Sequence, residues 1–577
     1  MDNNGKGMVV IDGTPVEIEG EKNLLEVIRK AGIELPTFCY LSELSIHGAC
    51  RLCIVEDSRG GLFASCSEPP RDGMEIRTNT EQLRKYRRNI LELLLANHCR
   101  DCTVCGFNGR CKLQSLVVGF NLTRVRFPNA ASEPVVDDSS LCIVKDQSKC
   151  ILCGDCVRMC DEIQGVGAID FARRGSKMTI STAFDIPLAQ SDCVGCGQCA
   201  AVCPTGAIVV RNDTERLWTD LGDPGNLMTA QVAPAVRVAL GREFGLEEGE
   251  NAIGKIMAAL RRLGFAEVYD TSTGADLTIL EEARELLDRL NDGKRHDLPL
   301  FTSCCPAWVR FCETRHPELV GELSTSFSPM HMLASVLKEQ YKDVYRKVIH
   351  AAIMPCTAKK YERARPEFAR NGGQLVDHVI TTQGLIRMIR ESGLVFSELE
   401  PEATDSPLGD MSGAGVIFGV SGGVTEAVLR RISTDRSPAA LRKIAFTGVR
   451  GMSGLKTASA RVGEREARIA VVSGLANADR LIRRLKAGEE HFDFVEVMAC
   501  PGGCVSGAGQ PSVPLARREL RGKGLYSADK LCHVRRAEDN PLMISLYRGL
   551  LKGRTHELLH VNREASGHVS HGASGGR

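Results

Sequence analysis

Long apolar runs, an excess of charge of one sign and a secretion signal are all missing from this chain of 577 residues. A stretch of about 18 consecutive apolar residues, which a membrane-spanning helix needs, does not occur. Lysine and arginine total 73 against 72 aspartates and glutamates, whereas nucleic-acid-binding proteins usually show a basic excess. Residues 1–7 are polar and lack the apolar core of a signal peptide. We therefore expect a cytoplasmic protein with no membrane span and no nucleic-acid partner.

Cysteine, by contrast, is abundant. The chain has 24 cysteines, and seventeen of them precede residue 204. A disulfide framework fits poorly, because the chain is long, carries no secretion signal and spaces many cysteines as C-x2-C. Metal clusters are the better interpretation, and the length predicts about four domains.

The coarse pattern of secondary structure changes along the chain. Near the N-terminus, strands Met8–Asp12 and Pro15–Glu19 and helix Asn23–Ala31 are expected. After about residue 226, apolar strands alternate with helices, which predicts α/β units and mostly parallel sheets. The expected strands there are Val348–Met354, Val416–Val420, Arg468–Val472 and Phe492–Met498, and the expected helices include Leu277–Leu290 and Pro329–Tyr341.

The strongest motif is a pair of C-x2-C-x2-C-x3-C runs. Such a pair describes a two-cluster ferredoxin, in which the fourth cysteine of each run ligates the other cluster. Structural zinc is the alternative. One predicted [4Fe–4S] cluster is held by Cys150, Cys153, Cys156 and Cys203, and the other by Cys193, Cys196, Cys199 and Cys160.

Two further cysteine sets precede that pair. The first has a longer initial gap than the plant-type [2Fe–2S] run, yet a [2Fe–2S] cluster remains the best interpretation beside zinc. The second could bind zinc as Cys3His or a [4Fe–4S] cluster with one imidazole ligand, and its place between the other clusters favours iron–sulfur. The first set is Cys39, Cys50, Cys53 and Cys66; the second is His98, Cys102, Cys105 and Cys111.

The later cysteines lie in three segments that end predicted strands: Thr302–Trp308, Met354–Glu362 and Glu496–Cys504. Loops at the carboxyl ends of parallel strands converge on one crevice. Cys305, Cys356, Cys500 and Cys504 could therefore meet as four ligands of one cluster, and the glycines at 502 and 503 would let the backbone approach it. The alternative is a set of unrelated buried cysteines.

These three segments resemble the signature motifs of the [FeFe]-hydrogenases, and the resemblance covers nearly the whole chain. The N-terminal modules resemble the accessory clusters of the large monomeric clostridial type, the hydrogenase subunit of NAD(P)-linked complexes and the start of the large iron–sulfur subunit of respiratory complex I. The resemblance implies an iron hydrogenase, an oxidoreductase catalysing 2 H+ + 2 e− ⇌ H2. Electrons would come from ferredoxin or flavodoxin through the accessory clusters, last through the one held by Cys150, Cys153, Cys156 and Cys203.

The resemblance also implies residue roles. Four cysteines would hold the [4Fe–4S] part of an H-cluster, with Cys504 bridging to a two-iron unit that carries CO, cyanide and a dithiolate, and maturases would assemble it. Cys304 would pass protons, which Glu282, Ser324 and Glu285 would relay. Lys359 and the backbone of Ala233 and Pro234 would hold cyanide, and the apolar cavity residues would be Met354, Phe418 and Met498.

The resemblance implies an α+β multidomain fold. The expected domains are a β-grasp [2Fe–2S] ferredoxin-like domain at 1–79, a small His/Cys3 [4Fe–4S] domain at 80–126, a two-[4Fe–4S] ferredoxin-like domain at 127–212, a two-lobed α/β catalytic domain with parallel sheets at 213–562 and a disordered tail at 563–577.

One departure and two rival functions remain open. Where the family commonly has a glutamine near the diatomic ligands, this chain has Met330, followed by His331. The chain could be the hydrogenase subunit of an NAD(P)-dependent or bifurcating complex; with no convincing G-x-G-x-x-G, any nicotinamide or flavin site would lie on a partner flavoprotein. It could instead be an H2 sensor or a non-catalytic iron–sulfur scaffold.

Overall fold

The computed structural model describes residues 7–129, 135–292, 294, 296–343, 347–370, 372–406, 408, 411–433, 437, 449–462 and 465–561. The predicted tail at 563–577 lies outside these residues. The chain forms two compact units: Met1–Ile163 with Gly167–Ser191 and Gln198–Val209, and Gln164–Val166 with Asp192–Gly197 and Val210–Arg577. Within the described residues, no helix is both long enough and apolar enough to cross a membrane.

The first unit begins with a five-stranded sheet in the order β2-β1-β5-β3-β4. Asn23 caps the helix α1 by accepting a hydrogen bond from the Glu26 amide. The helix buries one face against the sheet, which forms a small core of its own. The elements are β1 (Met8–Ile11), β2 (Thr14–Glu17), α1 (Leu24–Lys30), β3 (Ile54–Asp57), β4 (Leu62–Ala64) and β5 (Met74–Arg77).

The rest of the first unit consists of short elements around the cysteine loops. Strands β10-β7-β6 form one sheet, and β8 and β9 form an antiparallel pair. A π-helical turn, Met159–Ile163, follows α4 directly. The elements are α2 (Glu81–Ala96), α3 (Lys112–Gly119), β6 (Val136–Asp137), β7 (Ile143–Asp146), α4 (Asp155–Arg158), β8 (Asp170–Ala172), β9 (Thr179–Ser181), α5 (Gln198–Val202) and β10 (Ile208–Val210).

Two four-stranded sheets organise the second unit. One is entirely parallel, in the order β12-β11-β14-β17. In the other, β13-β20-β19-β18, only β18 is antiparallel. The strands are β11 (Asn226–Val232), β12 (Glu267–Asp270), β13 (Leu300–Phe301), β14 (Lys347–Met354), β17 (His378–Thr381), β18 (Leu455–Val462), β19 (Arg465–Ser473) and β20 (Phe494–Met498), beside a small hairpin of β15 (Ala369–Arg370) and β16 (Gly373–Gln374).

Helices accompany both sheets, as the apolar character of the strands requires, because parallel strands are usually covered on both faces. They are α6 (Thr214–Leu221), α7 (Ile253–Arg262), α8 (Ser272–Asn291), α9 (Pro306–Arg315), α10 (Pro329–Gln340), α11 (Ala358–Arg363), α12 (Thr382–Glu391), α13 (Gly413–Val416), α14 (Gly423–Ile432), α15 (Leu475–Lys486), α16 (Leu515–Leu531), α17 (Pro541–Arg548) and α18 (Thr555–Leu559).

The strands predicted at Val348–Met354, Arg468–Val472 and Phe492–Met498 are confirmed as β14, β19 and β20, but the strand predicted at Val416–Val420 is wrong. That segment is helical, in α13 and the 3-10 turn Ile417–Gly419. Ser412 caps α13 at the Gly415 amide. A Cβ on Gly415 would lie 2.3 Å from the Ser272 carbonyl oxygen, so glycine lets this helix pack directly on α8.

Candidate functional site

A cavity of about 750 Å³ opens where strands of both sheets of the second unit end. Cys304 and Cys305 follow β13, Cys356 follows β14, and Cys500 follows β20. This is the crevice position at which α/β sheets commonly bind ligands. Of the predicted residues, it is lined by Ala233, Pro234, Cys304, Cys305, Met354, Cys356, Lys359, Phe418, Met498, Cys500 and Cys504.

Cys305, Cys356, Cys500 and Cys504 act on one another electrostatically. Burial raises the pKa of Cys500 well above its ordinary value, and the other three add to the increase. Burial and Cys305 raise the pKa of Cys356 to about 12. Burial therefore favours the neutral thiols, and iron would bind there by displacing protons.

The donor set fits an iron–sulfur assembly. None of these four cysteines is in a disulfide bond, and all four line one cavity. Thiolates are the usual ligands of such clusters. Among the described residues, no group of three or more His, Cys, Asp or Glu side chains is arranged to hold a single metal ion.

Lys359 enters the cavity from α11, directly after Cys356. Its Nζ lies 2.7 Å from Glu362 Oε2 and donates to the Cys304 carbonyl oxygen at 3.2 Å. Burial lowers the pKa of Lys359, but Glu362 outweighs burial and the net shift is upward. The cavity wall thus holds a fixed, buried cation. Behind it, His331 Nδ1 lies 3.6 Å from Glu362 Oε2, and the His331 ring stacks on Phe368 at 3.7 Å.

Cys304 is a free, buried thiol beside a carboxyl group. Burial raises its pKa well above the ordinary value, and Glu282 is the largest electrostatic contributor. Glu282 Oε1 lies 3.5 Å from the Ser303 amide, and Oε2 has no hydrogen-bond partner among the described residues. Burial raises the pKa of Glu282 to about 8, and the negative charge of Glu285 contributes to that shift.

Glu285 lies one helical turn further along α8 and has the opposite titration behaviour. It accepts hydrogen bonds from the side chains of Ser324 and Thr325 and interacts with His560, and together these contacts outweigh burial and lower its pKa. The structure therefore brings Cys304, Glu282, Ser324 and Glu285 into one region of the second unit, running away from the cavity.

Met330 occupies the wall position at which the sequence departs from the hydrogenase pattern. Its backbone carbonyl accepts from Gln231 Nε2 at 2.9 Å. Gln231 in turn accepts from Thr271, another residue lining the cavity, at 2.9 Å. A thioether thus replaces an amide at the surface of the cavity, while Gln231 fixes the backbone behind it.

In the first unit, the four cysteines of the predicted [2Fe–2S] set are neighbours. Hydrogen bonding to Cys39 lowers the pKa of Cys50, and hydrogen bonding to Cys66 lowers that of Cys53. Cys39 and Cys50 both contribute to the raised pKa of Cys66, so the two pairs lie close together. Gly48 has a φ of +68°, a conformation that favours glycine in the loop before Cys50.

The three cysteines of the His98 set are also near one another. Burial raises the pKa of Cys111, with smaller contributions from Cys102 and Cys105. His98 is 6% exposed, and its Nε2 atom has no hydrogen-bond partner among the described residues. A buried nitrogen without a partner suits a ligand position. Cys99 interacts with Cys102 as well and is the nearest competing thiol.

One of the two crossed ferredoxin sets forms a cavity of about 410 Å³ in the first unit, lined by Cys150, Cys153, Cys156 and Cys203. The first three cysteines of the first run and the last cysteine of the second run therefore line the same cavity. The other set is divided: Cys160 and Cys199 belong to the first unit, Cys193 and Cys196 to the second. It stays a prediction.

The segment Asp192–Gly197 packs within the second unit beside the main cavity. Thr357 donates to the Gly195 carbonyl oxygen at 2.7 Å, and Cys196 adds to the raised pKa of Cys500. Cys196 therefore lies near Cys500 within the second unit. The assignment of the last position in the electron path to the cluster of Cys150, Cys153, Cys156 and Cys203 stays a prediction.

Comparison with known proteins decides the family. Residues 226–508 match the iron only hydrogenase large subunit, C-terminal domain, and residues 515–562 match the iron hydrogenase small subunit. The chain is 41% identical to the NADP-reducing hydrogenase subunit HndD of Solidesulfovibrio fructosivorans, over 96% of this chain and 98% of that protein. The chain belongs to the [FeFe]-hydrogenase family.

Two further likenesses agree. The chain is 34% identical to iron hydrogenase 1 of Clostridium pasteurianum, over 96% of this chain and 99% of that protein. A solved structure of a variant of the [FeFe]-hydrogenase HydA1 from Chlamydomonas reinhardtii matches with a TM-score of 0.53 at 37% identity, over 61% of this chain and 98% of that one. The chain is thus an iron hydrogenase, an oxidoreductase that acts on H2.

The N-terminal third of the hydrogenase matches iron–sulfur families. These are a 2Fe-2S iron-sulfur cluster binding domain at 8–81, the NADH-ubiquinone oxidoreductase-G iron-sulfur binding region at 87–126 and a 4Fe-4S dicluster domain at 149–207. The hydrogenase is therefore multidomain, with [2Fe–2S] and [4Fe–4S] ferredoxin-like domains before a catalytic domain of mixed helices and sheets.

Sequence reasoning assigned no role to several residues that the site contains. Thr271 lines the cavity, Glu362 pairs with Lys359, and His560 contacts Glu285 from far along the chain. Glu362 lies three residues after Lys359 on α11, so helical spacing could have found it. No local signal links His560 to α8.

The second glycine after Cys500 has a role beyond the expected approach to a cluster. A Cβ on Gly503, where φ is +93°, would lie 2.4 Å from the Ser421 amide nitrogen, so the tight contact is with the backbone of a neighbouring segment. Gly503 therefore holds the Cys504 loop against residues 420–421.

We expect Gly503→Ala to lower the free energy of unfolding of the apoprotein by about 2 kcal/mol or more, because it combines a left-handed φ with a backbone clash. Urea unfolding measures this. Gly393→Ala is the matched control, since Gly393 has a φ of +72° but nothing within 4 Å of the added Cβ. Equal losses in the two variants would contradict the close-contact role of Gly503.

Proposed function

We propose that the hydrogenase interconverts H2 with two protons and two electrons at an H-cluster held in the main cavity. The observation that carries this is the convergence of five cysteines, a buried lysine and apolar side chains on one cavity. When bound, such a group supplies a Lewis-acid metal with an open position and a nearby base for splitting H2. Infrared spectroscopy of matured protein tests it: absorption by metal-bound CO and cyanide is expected, and its absence would refute the proposal.

The residue roles follow from chemistry and position. Cys305, Cys356, Cys500 and Cys504 are the proposed thiolate ligands, and Cys504 would also hold the two-iron unit. The Lys359 ammonium and the backbone at Ala233 and Pro234 orient anionic cyanide, because a buried cation attracts an anion strongly in a site of low dielectric constant. Met354, Phe418 and Met498 keep the volume apolar and dry.

Protons travel along a row of groups whose protonation states differ. At neutral pH Glu282, with a pKa of about 8, is mostly protonated, and Glu285, with a lowered pKa, is ionised. Neighbouring carboxyls with divergent pKa values are typical of acid and base pairs. Cys304 passes the proton at the cavity, and Ser324, which hydrogen-bonds to Glu285, is the proposed link between the two glutamates.

Cys304→Ala should reduce H2 turnover at least about 100-fold, the usual contribution of a positioned proton-transfer group. The infrared bands of the cofactor should remain, because Cys304 is not a proposed ligand. Cys532→Ala, which removes a thiol outside the cavity, is the control and should keep its activity. Wild-type turnover in the Cys304 variant would contradict the proton role.

Cys504→Ser should fail to retain the two-iron unit, because a hydroxyl replaces the proposed bridging thiolate. After co-expression with maturases, CO and cyanide absorption should be lost, while iron analysis still detects the accessory clusters. A normal infrared spectrum in this variant would exclude the bridging assignment.

The chain also fits an assembly with other subunits. HndD is described as a subunit of an NADP-reducing hydrogenase, and residues 87–126 match a region of NADH-ubiquinone oxidoreductase-G. We therefore propose a flavoprotein partner that carries the nicotinamide site as the alternative to ferredoxin or flavodoxin alone. Co-purification of an NAD(P)-oxidising flavoprotein from the native source would favour it, and isolation of a fully active single chain would oppose it.

For a free electron carrier, we propose the region 80–126 as the entry point. It is rich in exposed basic side chains, whereas acidic residues predominate over basic ones in 1–79. An acidic ferredoxin would be steered to the basic region and away from the acidic one. The exposed basic residues are Arg84, Lys85, Arg88, Arg100, Arg110, Lys112, Arg124 and Arg126.

The double variant Arg84→Glu with Lys85→Glu should raise the KM for an acidic ferredoxin about tenfold at low ionic strength, and the difference should shrink in high salt. H2 evolution with a small viologen donor should not change. Arg174→Glu with Lys177→Glu, also an exposed basic pair of the first unit, is the control. Equal effects from the two pairs would contradict entry at 80–126.

The rival of another class is an H2 sensor or a scaffold without catalysis. Retention of Cys304 and of all four proposed ligands favours the enzyme. Met330 is the feature that favours the sensor, since it removes an amide from the cavity wall. Steady H2 evolution by the matured protein separates the two.

A further inference from the structure

His560 connects the C-terminal segment to the row of glutamates on α8. It directly follows the short helix α18, and residues 559–561 run antiparallel to residues 325–327: Phe327 donates to the Leu559 carbonyl oxygen and Val561 to that of Thr325, both at 2.8 Å. The His560 side chain is only 8% exposed. Backbone pairing thus fixes the imidazole beside α8.

Both ring nitrogens of His560 face acceptors. Nε2 lies 3.0 Å from Glu281 Oε2. Nδ1 lies 2.8 Å from Thr325 Oγ1 and 3.6 Å from Glu285 Oε1. Thr325 donates its hydroxyl to the same Glu285 oxygen, so its oxygen is left to accept from His560. Only an imidazolium ring donates at both nitrogens, so the surroundings match the protonated form.

We propose that His560 is a positioning residue of the proton path, which holds Glu285 ionised and oriented through Thr325. The proposal rests on the proposed role of Glu285 as a relay. It assigns a function to the segment that matches the iron hydrogenase small subunit, at 515–562. That segment would complete the outer end of the path rather than only cover the fold.

The charges around His560 support this role. From α8 it faces Glu281 and Glu285, with Arg284 paired to Glu281 at 3.0 Å. Tyr547 on α17 donates to Glu281, and the His556 ring stacks on His560 at 5.0 Å. The carboxylates of Glu281 and Glu285 thus face two cations, His560 and Arg284. Loss of His560 would leave Glu281 and Glu285 with one cation, Arg284, which pairs with Glu281.

The direction of the pH effect follows from these contacts. Burial lowers the pKa of His560, but the two carboxylates outweigh burial and raise it to about 9. His560 is thus charged below about pH 9 and loses its charge as the pH rises through that value. The charged ring favours ionised Glu285, so removing it must raise the pKa of Glu285.

The test compares His560→Gln with wild-type matured enzyme over the pH range of H2 oxidation. The acid limb of the profile should move to higher pH in the variant, because Glu285 is protonated more readily. The alkaline decline near pH 9 should weaken, because the titrating ring is gone. His560→Lys, which keeps a cation, should restore part of the acid limb.

A second readout does not depend on turnover. Infrared spectra of the holoenzyme should show a protonated carboxyl band at higher pH in His560→Gln than in wild type, and Glu285→Gln should remove that band. If this band shifts but the activity profile does not, the contact is real and the relay role of Glu285 fails.

His556→Gln is the matched control, because His556 stacks on His560 and has no hydrogen bond to either glutamate. It should leave both readouts unchanged. Identical profiles and identical carboxyl bands for wild type and His560→Gln would overturn the proposal. Thermal melting and iron content identify a variant that has simply failed to fold.

Discussion

The structure depends on bringing four thiols from distant loops into a pocket where burial opposes their ionisation. Thiolates are the form that iron binds, yet burial raises the pKa of these cysteines. If they are the ligands that we propose, the protein would hold them in place and bound iron would make them anionic. Parallel strands make this arrangement possible, because their carboxyl ends lie at one edge and deliver loops to one volume.

Helix α8, which borders this pocket, carries two glutamates whose surroundings give them different pKa values. Glu282 has only one weak backbone contact and stays mostly protonated, whereas Glu285 is surrounded by donors and stays ionised. Spacing of three residues puts both on one face of α8. A proton can then move between neighbours without creating two buried charges at once.

Sequence reasoning succeeded where the chemistry is local. The spacing of the C-x2-C-x2-C-x3-C runs and the position of the later cysteines at strand ends predicted cluster ligands. The cavity contains the ligands that were predicted for the catalytic domain. The strand predicted at Val416–Val420 was wrong because glycines at 413, 415 and 419 and a cap at Ser412 permit a short helix packed on α8. Tertiary packing overrode the apolar pattern.

Other features depend on long-range contacts that no local pattern reveals. His560 is 279 residues from Glu281 along the chain, and backbone pairing sets their contact. The proximity of Cys196 to Cys500 likewise depends on the fold.

The segment Asp192–Gly197 leaves the ferredoxin-like unit and packs with the catalytic one. A Cβ on Gly197 would lie 2.6 Å from Thr357 Oγ1, and Gln164 donates to the Ala499 carbonyl oxygen at 3.0 Å. The two modules are therefore interlaced along the chain. Shortening the protein to begin at residue 210 would remove the backbone of Gly195 and the side chain of Gln164, which contact the loops of Cys356 and Cys500.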